Sequence, residues 1–498
     1  MKIIAALAVM ALAVLNSASA FTTFSKYGSV IPPEGDTLQG KHMNVQWFEN
    51  YVDHFNPQDT SKYKQRYFEN REFFNETYDK EKSNSPIFVY IGSEGILSPK
   101  WTTQGLPYTL AKEHGAIVVA LEHRYYGFSQ PKPDHSFENL RYLTSEQALE
   151  DLATFIRWYV NNQVTWSRER PVIVFGGSYG ATLAATMRAR HPHLVRGAVA
   201  SSAPFEPEVN FTEYYEVATE ALRFFGGDEC VDTFKDLNNQ IENHLKTQDG
   251  KKLLSLMFNT CTPLYDGSFT GINTQAFWTS VTDIWAGVVQ YNKENSSRLT
   301  LSNMCKSLRG ASDKFSEYFR LFQAARGGDT KCFKWTYNDM LADLSSTTIE
   351  PANNMRQWIY QTCTEWGFYQ TLESDKQVYG PKDAVKLELF TKLCADAYSP
   401  KINTAFLLDS SDRSRDAYGG WYYQATNVAL ANGNIDPWHA ISLFEKCGHR
   451  HPSITNHFSE GTSHCAILYP EEPYDPASII QARKEVAQVV ADWIKARY

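Results

Sequence analysis

Five residues in the middle of the chain, Gly176-Gly177-Ser178-Tyr179-Gly180, place a serine between glycines. The pattern Gly-x-Ser-x-Gly holds a serine on a sharp turn between a strand and a helix, where its hydroxyl can attack a carbonyl group. An apolar run precedes this turn, and residues 181–190 form a good helix pattern. Because the glycines allow a tight backbone turn, the context predicts that Ser178 is a nucleophile. The alternative is a structural glycine turn with a bystander serine.

A serine hydroxyl is a weak nucleophile, so it needs a histidine base and a carboxylate that orients the histidine. On this kind of scaffold the chain order is Ser, then Asp or Glu, then His. His464 follows the last strand-like run and precedes the closing helix, which is the expected place for the base. Asp436 follows the preceding strand-like run and is the predicted acid. Three carboxylates before that run are weaker alternatives: Asp409, Asp412 and Asp416.

The negative charge that develops on the attacked carbonyl oxygen needs two backbone N–H donors, which form an oxyanion hole. We expect one donor from Tyr179 and the other from Ser93 or Glu94, in the loop Gly92-Ser93-Glu94-Gly95. That loop lacks the His-Gly-Gly-Gly run of many lipases, which argues against a lipase. The carboxylate of Glu94 is also a candidate for the substrate pocket, where it would bind an amine. Capping of a helix is its alternative role.

These residues follow short apolar segments. Continuous apolar runs, typical of strands buried on both faces of a parallel sheet, occupy residues 86–91, 116–121, 171–175 and 196–200. Residues 145–160 carry apolar positions at helical spacing. Strands that alternate with helices indicate an α/β fold, and with the serine turn they predict an α/β-hydrolase core.

The pattern changes after Pro204. The next two hundred residues are rich in amphipathic helical stretches, aromatics and cysteines, so we interpret them as a helical cap domain inserted into the core. Strand-like runs resume at 427–431 and 454–458, and the chain ends in a helix. The predicted divisions are a signal peptide over 1–20, a first core part over 21–204, the cap over 205–404 and a second core part over 405–498.

Composition excludes several function classes. The 498 residues are 43% hydrophobic and 21% charged, which is ordinary for a globular protein. A formal net charge of −8, without a Lys/Arg cluster, argues against nucleic-acid binding. His191-Pro192-His193 and His449-Arg450-His451 have metal-like spacing but no third ligand. We therefore expect neither a metal nor another cofactor.

The N-terminal residues have the pattern of a secretory signal peptide. Lys2 is followed by an apolar stretch from Ile3 to Leu15 and by Ala18-Ser19-Ala20. The apolar stretch is too short for a membrane anchor. Eight cysteines, enough for four disulfides of undetermined pairing, agree with export to the lysosome or the extracellular space. Three glycosylation sequences also agree with it: Asn75, Asn210 and Asn295.

Several motifs carry a resemblance to a known family. They are Val52-Asp53-His54-Phe55, Gly92-Ser93-Glu94-Gly95, Glu122-His123-Arg124-Tyr125-Tyr126-Gly127, the serine turn, Ser201-Ser202-Ala203-Pro204 and Asn434-Ile435-Asp436-Pro437-Trp438. With these motifs the chain resembles the prolyl-carboxypeptidase family of serine peptidases from about Trp47 to its end. The resemblance implies an α/β-hydrolase core with a helical cap and a triad of Ser178, Asp436 and His464. It also implies exopeptidase activity, often beside proline, and a place for Trp438 in the specificity pocket.

One position separates the chain from family members best known for cleaving beside proline. Those members carry two adjacent histidines, whereas this chain has His464-Cys465. In this respect it is more similar to the thymus-specific branch of the family, so proline specificity stays open. We expect Cys465 to form a disulfide with another late cysteine, for which Cys447 is a candidate.

The sequence therefore predicts a secreted or lysosomal serine exopeptidase that acts on short peptides, as a carboxypeptidase or a dipeptidyl peptidase. Its expected partner is a peptide substrate, and the sequence leaves a homodimer open. One alternative is an esterase on the same fold. The other is a secreted binding protein that kept the fold and lost catalysis, against which the intact serine, aspartate and histidine set argues.

Overall fold

A central sheet organises the part of the chain that the structure describes. The computed structural model describes residues 44–74, 85–164, 170–294, 296, 298–327, 331–443 and 451–496. The strands of the sheet are β1 Asn44–Tyr51, β2 Lys62–Asn70, β3 Ile87–Ile91, β4 Ile117–Leu121, β5 Val172–Gly177, β6 Gly197–Ser201, β7 Val428–Gly433 and β8 Ile454–Ser459. They lie in the order β1-β2-β4-β3-β5-β6-β7-β8. From β4 to β8 the neighbours are parallel, whereas β2 is antiparallel to both β1 and β4.

Helices surround this sheet and fill the stretch between β6 and β7. They are α1 Gly105–His114, α2 Phe137–Leu140, α3 Ser145–Asn162, α4 Tyr179–Arg190, α5 Glu213–Leu245, α6 Gln248–Phe258, α7 Ile272–Gln290, α8 Leu301–Gly310, α9 Lys314–Ala325, α10 Tyr337–Ser345, α11 Met355–Gln361, α12 Leu387–Ala397, α13 Thr404–Tyr418 and α14 Ala477–Lys495. Single turns of 3₁₀ or π helix occupy Pro99–Thr102, Thr362–Trp366, Gly420–Tyr422, Pro437–Ile441 and Ala466–Leu468.

The strands predicted from continuous apolar runs are confirmed. Every residue of β3, β4, β5 and β6 is buried, because helices cover both faces of this part of the sheet. Val486, Val490 and Trp493 of α14 pack on one face, in the same apolar cluster as alternate residues of these strands. Residues of α3 and α4 belong to the larger cluster on the other face. The observed sheet and helices are an α/β-hydrolase core.

The strands β1 and β2 were not predicted. They pair with each other along their whole length at the antiparallel end of the sheet. Phe48 of β1 packs on Phe155 and Trp158 of α3, with ring centroids 5.6 and 4.7 Å apart. Charged and polar residues interrupt both strands, so the sequence shows no continuous apolar run there.

Helices α5 to α12 occupy the stretch where the sequence predicted an inserted cap, and α13 begins at its predicted end. The longest of them, α5, breaks at Gly227, whose φ of 69° and ψ of −179° are not helical. Glycine alone adopts such angles without strain. The division of the chain into core and cap at the predicted boundaries stays a prediction.

Three disulfides lie within the described residues, all in this helical stretch. They join Cys230 to Cys305, Cys261 to Cys332 and Cys363 to Cys394. Cys465 is instead a free, buried thiol, so the predicted disulfide of Cys465 is wrong. Its sulfur lies 3.7 Å from the carbonyl oxygen of Ser201 and packs in the apolar layer against the sheet. Cys447 lies outside the described residues.

Some predictions fall partly or wholly outside the described ranges. The signal peptide over 1–20 and the glycosylation sites Asn75 and Asn295 lie there. Asn210 is described and half-buried, and its Oδ1 accepts a hydrogen bond from Thr371 Oγ1 at 2.6 Å. Among the described helices, none combines the length and apolar character needed to cross a membrane.

A buried ion pair ties the loop after β4 to α3. Arg124 donates from Nε to Asp151 Oδ2 at 2.6 Å and from Nη2 to Asp151 Oδ1 at 2.7 Å. Tyr63 Oη and His54 Nε2 contact the same carboxylate at 2.9 and 2.8 Å. Burial alone would raise the pKa of Asp151, but Arg124 and His54 bring it below its usual value. The cluster therefore holds two buried charges with their hydrogen bonds satisfied.

Replacement of Asp151 by alanine should lower the free energy of unfolding by about 3–5 kcal/mol, because it leaves Arg124 buried without a counter-charge. Denaturant titration followed by tryptophan fluorescence measures this loss. Asp249→Ala is the control, since Asp249 pairs with Lys252 at an exposed site and should contribute at most about 1 kcal/mol. Equal losses in the two variants would contradict the prediction.

Candidate active site

The turn between β5 and α4 holds Ser178 in a strained conformation. Its φ of 56° and ψ of −132° lie outside the regions that residues with a side chain prefer. A Cβ atom on Gly176 would lie 2.1 Å from the carbonyl oxygen of Gly180, so the turn requires glycine there. Ser178 stands at the start of α4, where unpaired N–H groups and the helix dipole favour an anion. The predicted strand–turn–helix arrangement is confirmed.

A buried carboxylate orients the imidazole ring of His464. Both carboxylate oxygens of Asp436 lie 3.0 Å from His464 Nδ1, and both side chains are fully buried. Burial opposes the charged imidazolium, but the charge of Asp436 outweighs it, so the pKa of His464 lies well above its usual value. The other ring nitrogen, Nε2, has no hydrogen-bond partner within the described residues. Nε2 is thus left to exchange a proton with an incoming group.

The end of β6 connects the serine turn to the His464 loop. The N–H of Ser178 donates to the carbonyl oxygen of Ser201 at 3.0 Å, and the N–H of Cys465 donates to Ser202 Oγ at 2.8 Å. No hydrogen bond joins the Ser178 hydroxyl to His464 in the described part of the chain. Such catalytic contacts are often long until substrate binds.

The predicted oxyanion donors come from two segments in contact. The N–H of Gly180 donates to Ser93 Oγ at 3.0 Å, which places the loop after β3 against the start of α4. Among the described residues, the N–H groups of Tyr179 and Ser93 have no acceptor. Ser93 and Glu94 both stay candidates for the second oxyanion donor.

The side chain of Glu94 is buried beside the same loop. Its Oε2 accepts a hydrogen bond from Ser93 Oγ, whereas Oε1 has no partner within the described ranges. Burial raises the pKa of Glu94 to about 7, although Ser93 and His464 act in the opposite direction. A nearby substrate cation would favour the ionised form. The alternative role of capping a helix finds no contact in support, since neither carboxylate oxygen accepts from a helix N–H in the described residues.

A chain of hydrogen bonds holds the side chain of Tyr179, and sequence reasoning missed it. Tyr126 Oη donates to Gln361 Oε1 at 2.6 Å, and Gln361 Nε2 donates to Tyr179 Oη at 3.1 Å. Tyr179 Oη lies 3.0 Å from His123 Nε2, and His123 Nδ1 lies 2.7 Å from the carbonyl oxygen of Arg124. Because that carbonyl requires a proton on Nδ1, Nε2 accepts from Tyr179. Burial lowers the pKa of His123 to about 4, which keeps the ring neutral.

Aromatic rings surround Trp438, the residue that the resemblance places in the specificity pocket. Trp438 Nε1 donates to Gln290 Oε1 at 3.0 Å, and its ring centroid lies 6.2 Å from that of His464. Three further rings lie with their centroids 5.4 to 5.8 Å from it: Phe211, Tyr214 and Phe368. These contacts form an apolar wall next to the imidazole of His464.

The weaker candidates for the acid lie on α13, away from His464. Asp409 pairs with Arg413, and Asp412 pairs with Arg415, both at exposed positions of that helix. Asp416 is exposed on the same helix. The carboxylate that contacts His464 is that of Asp436.

Most of the chain matches one known family. The profile of the serine carboxypeptidase S28 family matches residues 50–486. The chain belongs to this family. Membership makes it a serine peptidase, and the resemblance inferred from the motifs is confirmed.

Similar S28 proteins and solved structures come from several organisms. A putative serine protease of Caenorhabditis elegans is 32% identical over 93% of this chain and 87% of its own length. The thymus-specific serine protease of Mus musculus is 32% identical over 90% of this chain and 87% of its own length. The lysosomal Pro-X carboxypeptidase of Homo sapiens is 26% identical over 92% of this chain and 90% of its own length. The solved structure of proline iminopeptidase from Mycobacterium smegmatis is 13% identical, with a TM-score of 0.35. The match covers 90% of this chain and 99% of that protein.

Replacement of Gly176 by alanine should slow the reaction of this S28 peptidase with a fluorophosphonate probe by about 10²-fold or more, because the clash with Gly180 displaces the serine turn and its oxyanion donors. Gel-based labelling of Ser178 measures the rate. Gly310→Ala is the matched control, since a Cβ there meets nothing within 4 Å. Normal labelling of Gly176→Ala would show that the turn does not depend on this glycine.

Proposed function

We propose that this S28 peptidase is a secreted or lysosomal serine exopeptidase that cleaves short peptides with Ser178, His464 and Asp436. The observation that carries the proposal is the buried contact between Asp436 and His464 Nδ1 at 3.0 Å, with Nε2 unpartnered among the described residues. The strained serine turn and the His464 loop both bond to the end of β6, which supports the same assignment.

In the proposed reaction the Ser178 hydroxyl attacks the peptide carbonyl. His464 Nε2 accepts the hydroxyl proton and later donates it to the leaving amine, while Asp436 orients the ring and stabilises the imidazolium. The N–H group of Tyr179 and that of Ser93 or Glu94 bind the oxyanion, with help from the N-terminus of α4. Water then attacks the acyl-enzyme and releases the second product.

Removal of terminal units from short peptides is supported by the surroundings of His464. Aromatic side chains from the helical stretch between β6 and β7 pack around Trp438, so they restrict the space beside the reacting atoms. Glu94 supplies a buried carboxyl group that, when ionised, would bind a substrate amine. Trp438 is the proposed wall of the specificity pocket, and a preference for proline is the open part of the proposal.

An exported location fits the relatives and the cysteine chemistry. One relative is named a lysosomal carboxypeptidase, and disulfides such as the three described here persist in oxidising compartments. The proposal therefore includes cleavage of a signal peptide over 1–20. It also includes glycans at Asn75, Asn210 and Asn295.

A peptide-library digest read by mass spectrometry tests the activity, with Ser178→Ala as the control. We expect loss of terminal units with the wild-type enzyme and none with the variant, at pH ~5 or pH ~7, which bracket the titration of histidine. Loss of one C-terminal residue would define a carboxypeptidase, and loss of an N-terminal dipeptide a dipeptidyl peptidase. Turnover of esters alone would favour an esterase. Failure to react with a fluorophosphonate would favour a silent binding protein.

The role of Asp436 can be measured from rate and pH profile together. His464 must be neutral to accept a proton, so kcat/KM should rise with pH through a pKa above 6.5. Asp436→Asn removes the charge that raises this pKa while burial still lowers it, so the rising limb should move to lower pH. The same variant should lose about 10³–10⁴ in kcat. If the rising limb of the pH profile does not move and kcat falls by about tenfold or less, another carboxylate is the acid.

A further inference from the structure

A carboxylate inside the helical stretch has no partner among the described residues. Asp283 of α7 is 6% exposed. Within the described residues it makes no hydrogen bond or ion pair, and burial alone raises its pKa, to about 8. A buried carboxyl group without partners costs stability, so its presence requires another explanation, such as a ligand.

The position of Asp283 on α7 relates it to the proposed catalytic residues. Asp283 and Gln290 are seven positions apart, so they share one face of the helix and lie about 10 Å apart along its axis. Gln290 Oε1 accepts hydrogen bonds from Trp438 Nε1 at 3.0 Å and from Tyr214 Oη at 2.8 Å. The carbonyl oxygen of Gln290 accepts the N–H of His464 at 3.0 Å. The face of α7 that carries Asp283 therefore also carries the side chain that contacts Trp438, beside His464.

Small side chains leave room along this face. Between Asp283 and Gln290 it carries only Ala286 and a glycine. Asp283, Ala286 and Gln290 are 4 to 6% exposed, so solvent reaches a small part of each of them. This face of α7 is therefore lined by small side chains and is not completely closed to solvent.

The charges around Asp283 favour a cation as the missing partner. Tyr214 and Tyr215 of α5 lie within electrostatic reach of Asp283, and burial and then nearby charges, including that of Asp283, raise their pKa. Tyr214 is also within electrostatic reach of Asp436. No lysine, arginine or histidine of the described residues influences the pKa of Asp283. An anionic ligand would find no positive charge here, whereas an ammonium group would find a carboxylate.

We propose that Asp283 binds a protonated amine of the peptide substrate, either its N-terminal ammonium group or a lysine side chain. This inference rests on the proposed function because it assigns a substrate class to the same site. The ammonium group supplies the counter-charge and the hydrogen-bond donors that Asp283 lacks. Asp283 releases its proton as the amine binds.

Peptide binding to the Ser178→Ala variant tests the inference without requiring turnover. Isothermal titration calorimetry would compare two pairs of tetrapeptides. In the first pair the N-terminus is free in one peptide and acetylated in the other. In the second pair one peptide carries a lysine and the other carries norleucine at the same position. Adding Asp283→Asn should weaken binding of the amine-bearing peptide about 10- to 100-fold and leave its uncharged partner unchanged. The pair that shows the difference identifies which amine Asp283 binds.

The melting temperature and an exposed control variant test whether Asp283 has only a structural role. Asn keeps the shape of Asp, and the carboxyl pKa is raised above its unfolded value of 3.8, so ionisation opposes folding at neutral pH. If Asp283 binds substrate and does not stabilise the fold, Asp283→Asn should leave the melting temperature of the protein unchanged or raise it. Asp249→Asn, an exposed aspartate of α6, should leave every affinity unchanged. Equal effects of Asp283→Asn on charged and uncharged peptides, or no effect on either, would overturn the inference.

The two proposals fail in distinguishable ways. Amine-dependent binding through Asp283, without Ser178-dependent hydrolysis of any peptide, would support the inference and overturn the proposed function. If the wild-type enzyme and Asp283→Asn both hydrolyse peptides with and without the amine at the same rate, the inference about Asp283 is overturned and the proposed function stands. Absence of binding by every peptide would overturn both.

Discussion

The contact between the buried carboxylate of Asp436 and Nδ1 of His464 sets requirements that much of the structure meets. A buried charged pair is tolerated only where its geometry is held and its remaining hydrogen bonds are satisfied. Asp436 caps the short helix Pro437–Ile441 and accepts the N–H of Trp438 at 3.0 Å. The N–H of His464 donates to the carbonyl oxygen of Gln290 at 3.0 Å. The pair is thus held from the end of β7 on one side and from α7 on the other.

The helical stretch also contributes to the oxyanion end of the site. Gln361 of α11 donates to the hydroxyl of Tyr179, the residue that follows the serine. Gln290 of α7 contacts both Trp438 and His464. Because each glutamine bonds to a residue beside a candidate catalytic group, a shift of these helices would disturb proton transfer and oxyanion binding together. The sheet and the helical stretch therefore act as one support for the site.

The parallel sheet was predictable from the sequence, because runs such as Ile117–Leu121 are apolar throughout and lie between helical patterns. The pairing of β1 with β2 was not, because charged and polar residues interrupt both strands, even in the part of β2 that is buried on both faces. His123 and Gln361 carry no local signal, since their contacts with Tyr179 bridge 56 and 182 positions of sequence. The even number of cysteines suggested a partner for Cys465, yet packing against β6 buries this thiol alone.

The three disulfides of the described residues all lie between Cys230 and Cys394, whereas the proposed triad lies outside that stretch. Covalent links restrain the unfolded chain of the helical stretch, while noncovalent packing alone stabilises the described part of the sheet. Reducing agents would therefore act first on this helical stretch. Because Gln290 and Gln361 of this stretch contact His464 and Tyr179, a reduced enzyme would lose substrate selection and turnover together, so thiol conditions would set how much of this peptidase is active.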